Sequence, residues 1–176
     1  MFVEGGRSAV IDALYLAVQE VIKKQKDEKN KRFAIVLLSD CDDRDSYYNF
    51  KQLALLLENT DVQVFVVALT RNVSDSTKSN LYNKAERAKM EKFAETLASR
   101  SGGTAYYLRY EYKEEQIRSL LKGLLIELHA QYVVGYTSTN QKTDGIPRKL
   151  TVQVLDGPNG EKRQGLIKDS IVVPVI

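Results

Sequence analysis

A chain of 176 residues with 43% hydrophobic side chains can bury a core of one domain's size, and it has no apolar run approaching the roughly 18 residues of a membrane span. Its 26 basic and 23 acidic residues nearly cancel, so no global field recommends nucleic acid as a partner. The single cysteine, Cys41, excludes an internal disulfide and has no Cys or His neighbour at zinc-ligand spacing.

The first residues, MFVEGGRSAV, lack the basic and apolar regions of a signal peptide. From Ser8, the expected N-cap, AVIDALYLAVQEVIKK places Val10, Ala13, Leu14, Ala17, Val18, Val21 and Ile22 on one helical face. The basic run KKQKDEKNKR, Lys23 to Arg32, suits the carbonyl end of that helix and a solvated loop, and it lacks the interleaved aromatics of a base-stacking patch. FAIVLLS, Phe33 to Ser39, is continuously apolar, the pattern of a strand buried on both faces. YYNFKQLALLLENT predicts a helix with Phe50, Leu53, Leu56 and Leu57 inward, and VQVFVVALT, Val62 to Thr70, a second buried strand. Beyond a polar loop, a long helix from about Ser79 to Ser101 ends at Gly102 and Gly103. TAYYLRY is a third strand and KEEQIRSLLKGLLIELHA a further helix.

This alternation predicts an α/β fold: a three-layer, Rossmann-like, mostly parallel sheet flanked by helices. After His129 the pattern changes to QYVVGYTS, RKLTVQVLD and KDSIVVPV, three strands with no helix between them and a DGPNGE hairpin turn. They predict a small antiparallel addition to the main sheet. A single domain over 1–176 is expected, with the α/β part in 1–130 and the C-terminal strands in 131–176. His129, alone at a helix end, suits packing or capping, and Tyr106, Tyr107, Tyr132 and Tyr136 suit pleated strand surfaces.

The chemistry concentrates in IVLLSDCDDRDS, Ile35 to Ser46. Asp40 ends a buried strand at the sheet edge where ligands gather, and Asp42, Asp43 and Asp45 follow it in a loop. Carboxylates this close repel unless a cation, amide groups or water relieve them, and a hard cation such as Mg2+ would do so. The alternative is that Asp42 to Ser46 cap the following helix.

Two families share parts of this pattern. An apolar strand followed by Asp40-Cys41-Asp42 resembles the first motif of haloacid-dehalogenase-type phosphatases, which would make Asp40 a nucleophile, Asp42 its acid and Mg2+ the cofactor. The third strand leads instead to Glu111 and KEE, without that family's downstream acidic pair. GGRSAVIDALYLA, followed by IVLLSDCDDR, VFVVAL, KFAETLASRSGGTAYYL and LLIELHAQYVVGYTS, resembles the von Willebrand factor type A domain over most of the chain, closest to a bacterial subgroup that is often exported.

That second resemblance implies a non-catalytic protein-binding or adhesion module, at the cell surface or exported. Its metal-ion-dependent adhesion site would hold Mg2+, Mn2+ or Ca2+ through Ser8 and Asp40, with Asp42 or Asp43 acting through water and a carboxylate of a protein partner completing the shell. Gly6, Arg7, Cys41 and Arg44 would flank the partner. Cys41 stands where the family has glycine, at a cost in backbone freedom. The family's Asp-x-Ser-x-Ser strand and the strands near it are absent, so the site is expected to be incomplete or degenerate. Asp75-Ser76-Thr77-Lys78-Ser79 matches that motif formally but sits in a polar loop that suits helix capping.

With the family's first strand missing, one edge of FAIVLLS is expected to be bare. A longer parent protein, a second copy pairing through 33–39, or the chain's own late strands would each cover it. A metal-free assembly module pairing through that strand is the corresponding alternative function.

Overall fold

The computed structural model describes residues 7–28, 31–70, 80–108, 113–130, 132, 137, 139, 148–149, 151–163, 165 and 171–172. The chain folds as two compact units, Met1–Tyr112 and Lys113–Ile176. The boundary places the fourth helix with the C-terminal strands, where the sequence pattern groups it with the α/β part.

The first unit holds α1 (Val10–Asp27), β1 (Ala34–Ser39), α2 (Phe50–Glu58), β2 (Gln63–Leu69), α3 (Asn80–Ser101) and β3 (Ala105–Leu108). The strands form one parallel sheet in the order β1-β2-β3, with Leu37 beside Val66 and Val67 beside Tyr106. This is the helix-flanked parallel sheet of a Rossmann-like layout, as the alternation predicts. Each crossover steps one strand in the same direction, and right-handed crossovers of that kind send their helices to one face of the sheet. Accordingly Val64, Val66 and Ala68 of β2 share a core with Leu14 and Val18 of α1, Leu53 and Leu57 of α2, and Ala94, Leu97 and Ala98 of α3. Ile35 and Leu37 of β1 pack against it.

The expectation of two buried faces holds for β2, where Phe65 and Val67 are buried as well, but not for β1. Val36 is 49% and Leu38 64% exposed. β1 is the edge of its sheet, and its outer side has no strand partner among the described residues. Alternate residues of a strand point to opposite faces, and the helices pack on the face of Ile35 and Leu37, so Val36 and Leu38 on the other face keep contact with water.

Helix ends follow their capping chemistry. Asn49 caps α2 in a reciprocal box with Gln52, each side chain accepting from the other's backbone N–H. α3 stops at Gly102, φ 78°, where Gly102 N–H donates to Ser99 O and Gly103 N–H to Ala98 O. Gly103 then passes so close to β2 that a Cβ there would lie 2.2 Å from the Val64 carbonyl oxygen.

In the second unit α4 (Glu114–His129) is the main element, with Ile117, Leu121, Leu125 and Ile126 exposed along it. β4 (Arg148–Lys149) and β5 (Ile171–Val172) pair antiparallel as a separate two-stranded sheet. One expectation is corrected by this. Among the described residues the strand expected over RKLTVQVLD covers only Arg148–Lys149, with residues 151–156 exposed and irregular, and an antiparallel addition to the main sheet is not shown. An alternation of apolar and polar residues makes a strand only where a partner backbone is within reach. The DGPNGE turn does form, closed by Gly157 N–H to Glu161 O and Gly160 N–H to Gly157 O, with Gly160 at φ 75°. The QYVVGYTS and KDSIVVPV strands fall mainly outside the described residues. Among the described residues no helix is long and apolar enough to cross a membrane.

Candidate functional site

Asp40 leaves the carboxyl end of β1 and is exposed. Its Oδ1 accepts from the Asp42 N–H at 3.2 Å and from the Ser39 hydroxyl at 3.4 Å. The chain turns sharply at Cys41, which has φ 63°, a left-handed conformation that costs a side-chain-bearing residue roughly 1–2 kcal/mol. Cys41 offsets that cost by burial: it is 4% exposed and belongs to the main core. Its N–H donates to Ser39 Oγ at 3.0 Å. Burial first, and then the neighbouring Asp40 charge, push the thiol up to about 12, so Cys41 is a protonated packing group at neutral pH.

The remaining aspartates part company. The Asp42 carboxylate pairs with the guanidinium of exposed Arg44, and that hydrogen bond raises Arg44 above its ordinary value. Asp43 turns the other way: its Oδ1 accepts from the Ile11 N–H at 3.0 Å and from the Ser46 hydroxyl at 2.6 Å. Ser46 Oγ in turn accepts from the Asp12 N–H at 3.1 Å. These are amides of the first turn of α1, whose own N-cap, Ala9, has no side chain able to serve them.

Capping therefore occurs, but in the opposite sense to the sequence-based expectation. Ser8 does not cap α1, and the Asp42–Ser46 loop does not cap α2. Asp43 and Ser46 cap the preceding helix across a gap of more than thirty residues, and Asn49 serves the following one. Asp12 completes the exchange by accepting from the Tyr47 N–H at 2.9 Å and the Tyr48 N–H at 2.8 Å. Tyr48 stacks on Tyr15 of α1 with ring centroids 3.8 Å apart.

Ser8 joins the site through its backbone. Its carbonyl accepts from the Arg44 N–H at 2.8 Å and the Asp45 N–H at 3.2 Å, so Ser8, just before α1, and the loop that leaves β1 lie side by side. The structure thus brings Ser8, Asp40, Cys41, Asp42, Asp43 and Arg44 into one locality, with Arg7 exposed next to Ser8. Gly6 and the Asp75–Ser79 stretch lie outside the described residues.

A cation such as Mg2+ takes about six oxygen ligands in near-octahedral array. Asp43 is half-buried with its Oδ1 on the Ile11 amide and the Ser46 hydroxyl, and Asp42 pairs with a guanidinium; Ser8 and Asp40 are the exposed residues that the adhesion-site pattern would use, with Asp40 Oδ1 itself accepting from the Asp42 N–H and the Ser39 hydroxyl. The residues present fit a fraction of such a shell. Among the described residues no three His, Cys, Asp or Glu side chains gather as metal ligands. Asp12, which the sequence does not single out, and Ser46, expected with Asp42–Asp45 to cap the following helix, hold the locality together. The signal for Asp12 was an acidic residue in the first turn of a helix, which marks a favourable dipole position without naming its partner.

No protein-family model matches the chain, and neither curated proteins nor solved structures provide a match.

Proposed function

We propose that this chain is a non-catalytic protein-binding module of the von Willebrand factor type A kind, recognising its partner at the carboxyl edge of the sheet through a reduced adhesion site. Ser8 and Asp40 face the cation, Asp42 acts through water, and Arg7 and Arg44 flank the partner's acidic group. Asp43, which the sequence also suggests as a ligand, serves the Ile11 amide of α1.

The observation that carries this reading is the pair of hydrogen bonds from the Arg44 and Asp45 amides to the Ser8 carbonyl. They hold a serine-bearing loop against an exposed strand-terminal aspartate, the arrangement in which two of an adhesion site's three loops would meet. The left-handed backbone at Cys41 further supports it, since this is the position the family gives to glycine. With so few protein oxygens, the cation is held weakly, with Kd on the order of 1 mM, the range of sites with low ligand charge.

The test is calorimetric titration with Mg2+ and Mn2+. Weak binding that is lost in Asp40→Ala and reduced in Ser8→Ala, without a change in thermal stability, is the expected result. No heat with either ion overturns the cation's part in the reading. Hydrolysis of an aryl phosphate that disappears in Asp40→Asn overturns the non-catalytic assignment in favour of the phosphatase.

A further inference from the structure

The outer edge of β1 is self-complementary. It presents strand backbone that has no strand partner among the described residues, and the exposed side chains Val36 and Leu38, with exposed Arg32 two residues before its first residue and exposed Asp40 just beyond its last. Exposed edges of this kind are templates for a further strand.

The chemistry of the edge selects both the occupant and the register. If a second copy approaches about a two-fold axis perpendicular to the sheet, the strands run antiparallel and each residue stays on its own face. Such symmetry allows only registers centred on a residue. Centring on Val36 sets Val36 against its counterpart, Ala34 against Leu38, Ile35 against Leu37 and Arg32 against Asp40. A shift to Leu37 would lay Asp40 on Ala34, and a shift to Ile35 would lay Arg32 on Leu38. Only the Val36 register matches apolar with apolar from Ala34 to Leu38, with Ser39 against Phe33, and sets opposite charge against opposite charge beyond both ends.

We propose that two copies of this chain pair antiparallel through β1, centred on Val36, so that the three parallel strands of each copy join into one continuous sheet. Ala34, Val36 and Leu38 of the two copies then form one apolar band on the exposed face, bracketed by two symmetry-related Arg32–Asp40 ion pairs. A single strand pair buries less than the ~1,200 Å2 of a stable interface, so the association is weak and seen only at high concentration. It requires no cation, although it shares Asp40 with the partner recognition proposed above. Either can fail without the other.

Sedimentation equilibrium of the whole chain over a wide concentration range is the test. The expected result is a reversible monomer–dimer equilibrium that is unchanged by EDTA. Val36→Lys sets two like charges opposite each other at the centre and leaves only monomer. Arg32→Asp and Asp40→Arg each weaken the dimer about tenfold, by turning exposed attraction into repulsion, and the double variant Arg32→Asp/Asp40→Arg restores it. Far-ultraviolet circular dichroism checks that each variant is folded, and should Val36→Lys fail to fold, the restoration by the double variant decides. A monomer at every concentration overturns the proposal. So does a dimer indifferent to all of these changes, which would lie on another surface such as the exposed stripe of α4, or one dissolved by EDTA. Mass spectrometry showing a segment of a longer parent chain cross-linked to β1 would also overturn it.

Discussion

Asp42 and Asp43 are neighbours with opposite employment, and substitution separates them. Asp43→Ala leaves the Ile11 N–H at the start of α1 without its acceptor and removes a partner of Ser46, so a loss of about 1–2 kcal/mol in urea unfolding is expected, the usual worth of a helix cap. Asp42→Ala removes one exposed ion pair and is expected to cost less than about 1 kcal/mol. Equal losses would contradict the assignment. Cys41 gives a pH signature. Its folded pKa, about 12, lies above the unfolded value near 9.0, so the folded state holds the proton more tightly. The stability contributed is complete below pH 9 and is lost as pH rises from about 9 towards 12. A plot of unfolding free energy against pH is expected to fall across that window in the native chain and to fall less in Cys41→Ala. The thiol is also expected to resist alkylation at pH 8 until denaturant is added. At this scale the sequence exposed the aspartate cluster but not its division of labour. Asp40 could be placed because a strand-terminal carboxylate follows from local pattern. Asp43 could not, because its partner Ile11 is 32 residues away, and nothing in DCDDRDS distinguishes a side chain facing forwards from one facing back.

The elements themselves were legible where periodicity and punctuation agree. α2 lies inside the predicted YYNFKQLALLLENT, β2 inside VQVFVVALT, and α3 ends at the two glycines that mark its stop. The pattern failed for RKLTVQVLD, where strand formation depends on a partner that local sequence does not reveal, and for β1, whose apolar run predicts two buried faces although Val36 and Leu38 are exposed. The glycine pair has measurable consequences. Gly102→Ala forces a side chain into the left-handed region at a cost of about 1 kcal/mol. Gly103→Ala drives a Cβ into the backbone of the central strand, which cannot yield as a flexible side chain could, and is expected to cost about 3 kcal/mol or more. Hydrogen exchange reads the sheet order directly. Amides of 63–69 in β2 are expected to exchange most slowly and those of 34–39 in β1 faster, since one side of β1 lacks a strand neighbour among the described residues; the reverse ranking would contradict β1-β2-β3.

For the molecule as a whole, the uneven dressing of the sheet is the organising fact. The two crossovers step the same way and place α2 and α3 on one core, which α1 joins from ahead of β1, and that accumulation leaves Val36 and Leu38 of the edge strand in water. The proposed recognition site and the proposed pairing edge then share one strand: Asp40 ends it, and Val36 lies at its middle. A partner bound at the carboxyl edge and a second copy bound alongside would therefore compete for Asp40. Dimer formation measured with increasing Mn2+ is expected to weaken if both proposals hold, and to stay constant if only the pairing does.

The exchange between Asp43 and Asp12 also has a mechanical meaning. Asp43 and Ser46 grip the amides that open α1, while Asp12 of that same turn grips the amides of Tyr47 and Tyr48, and the Ser8 carbonyl adds its own hold on Arg44 and Asp45. Tension applied to the Asp40 loop by a tethered partner would load these bonds side by side, in shear along the start of an eighteen-residue helix, instead of peeling them one after another. The loop is a clasp on a rigid bar: a pull at Asp40 is borne by α1 and the core beneath it before the loop itself can give.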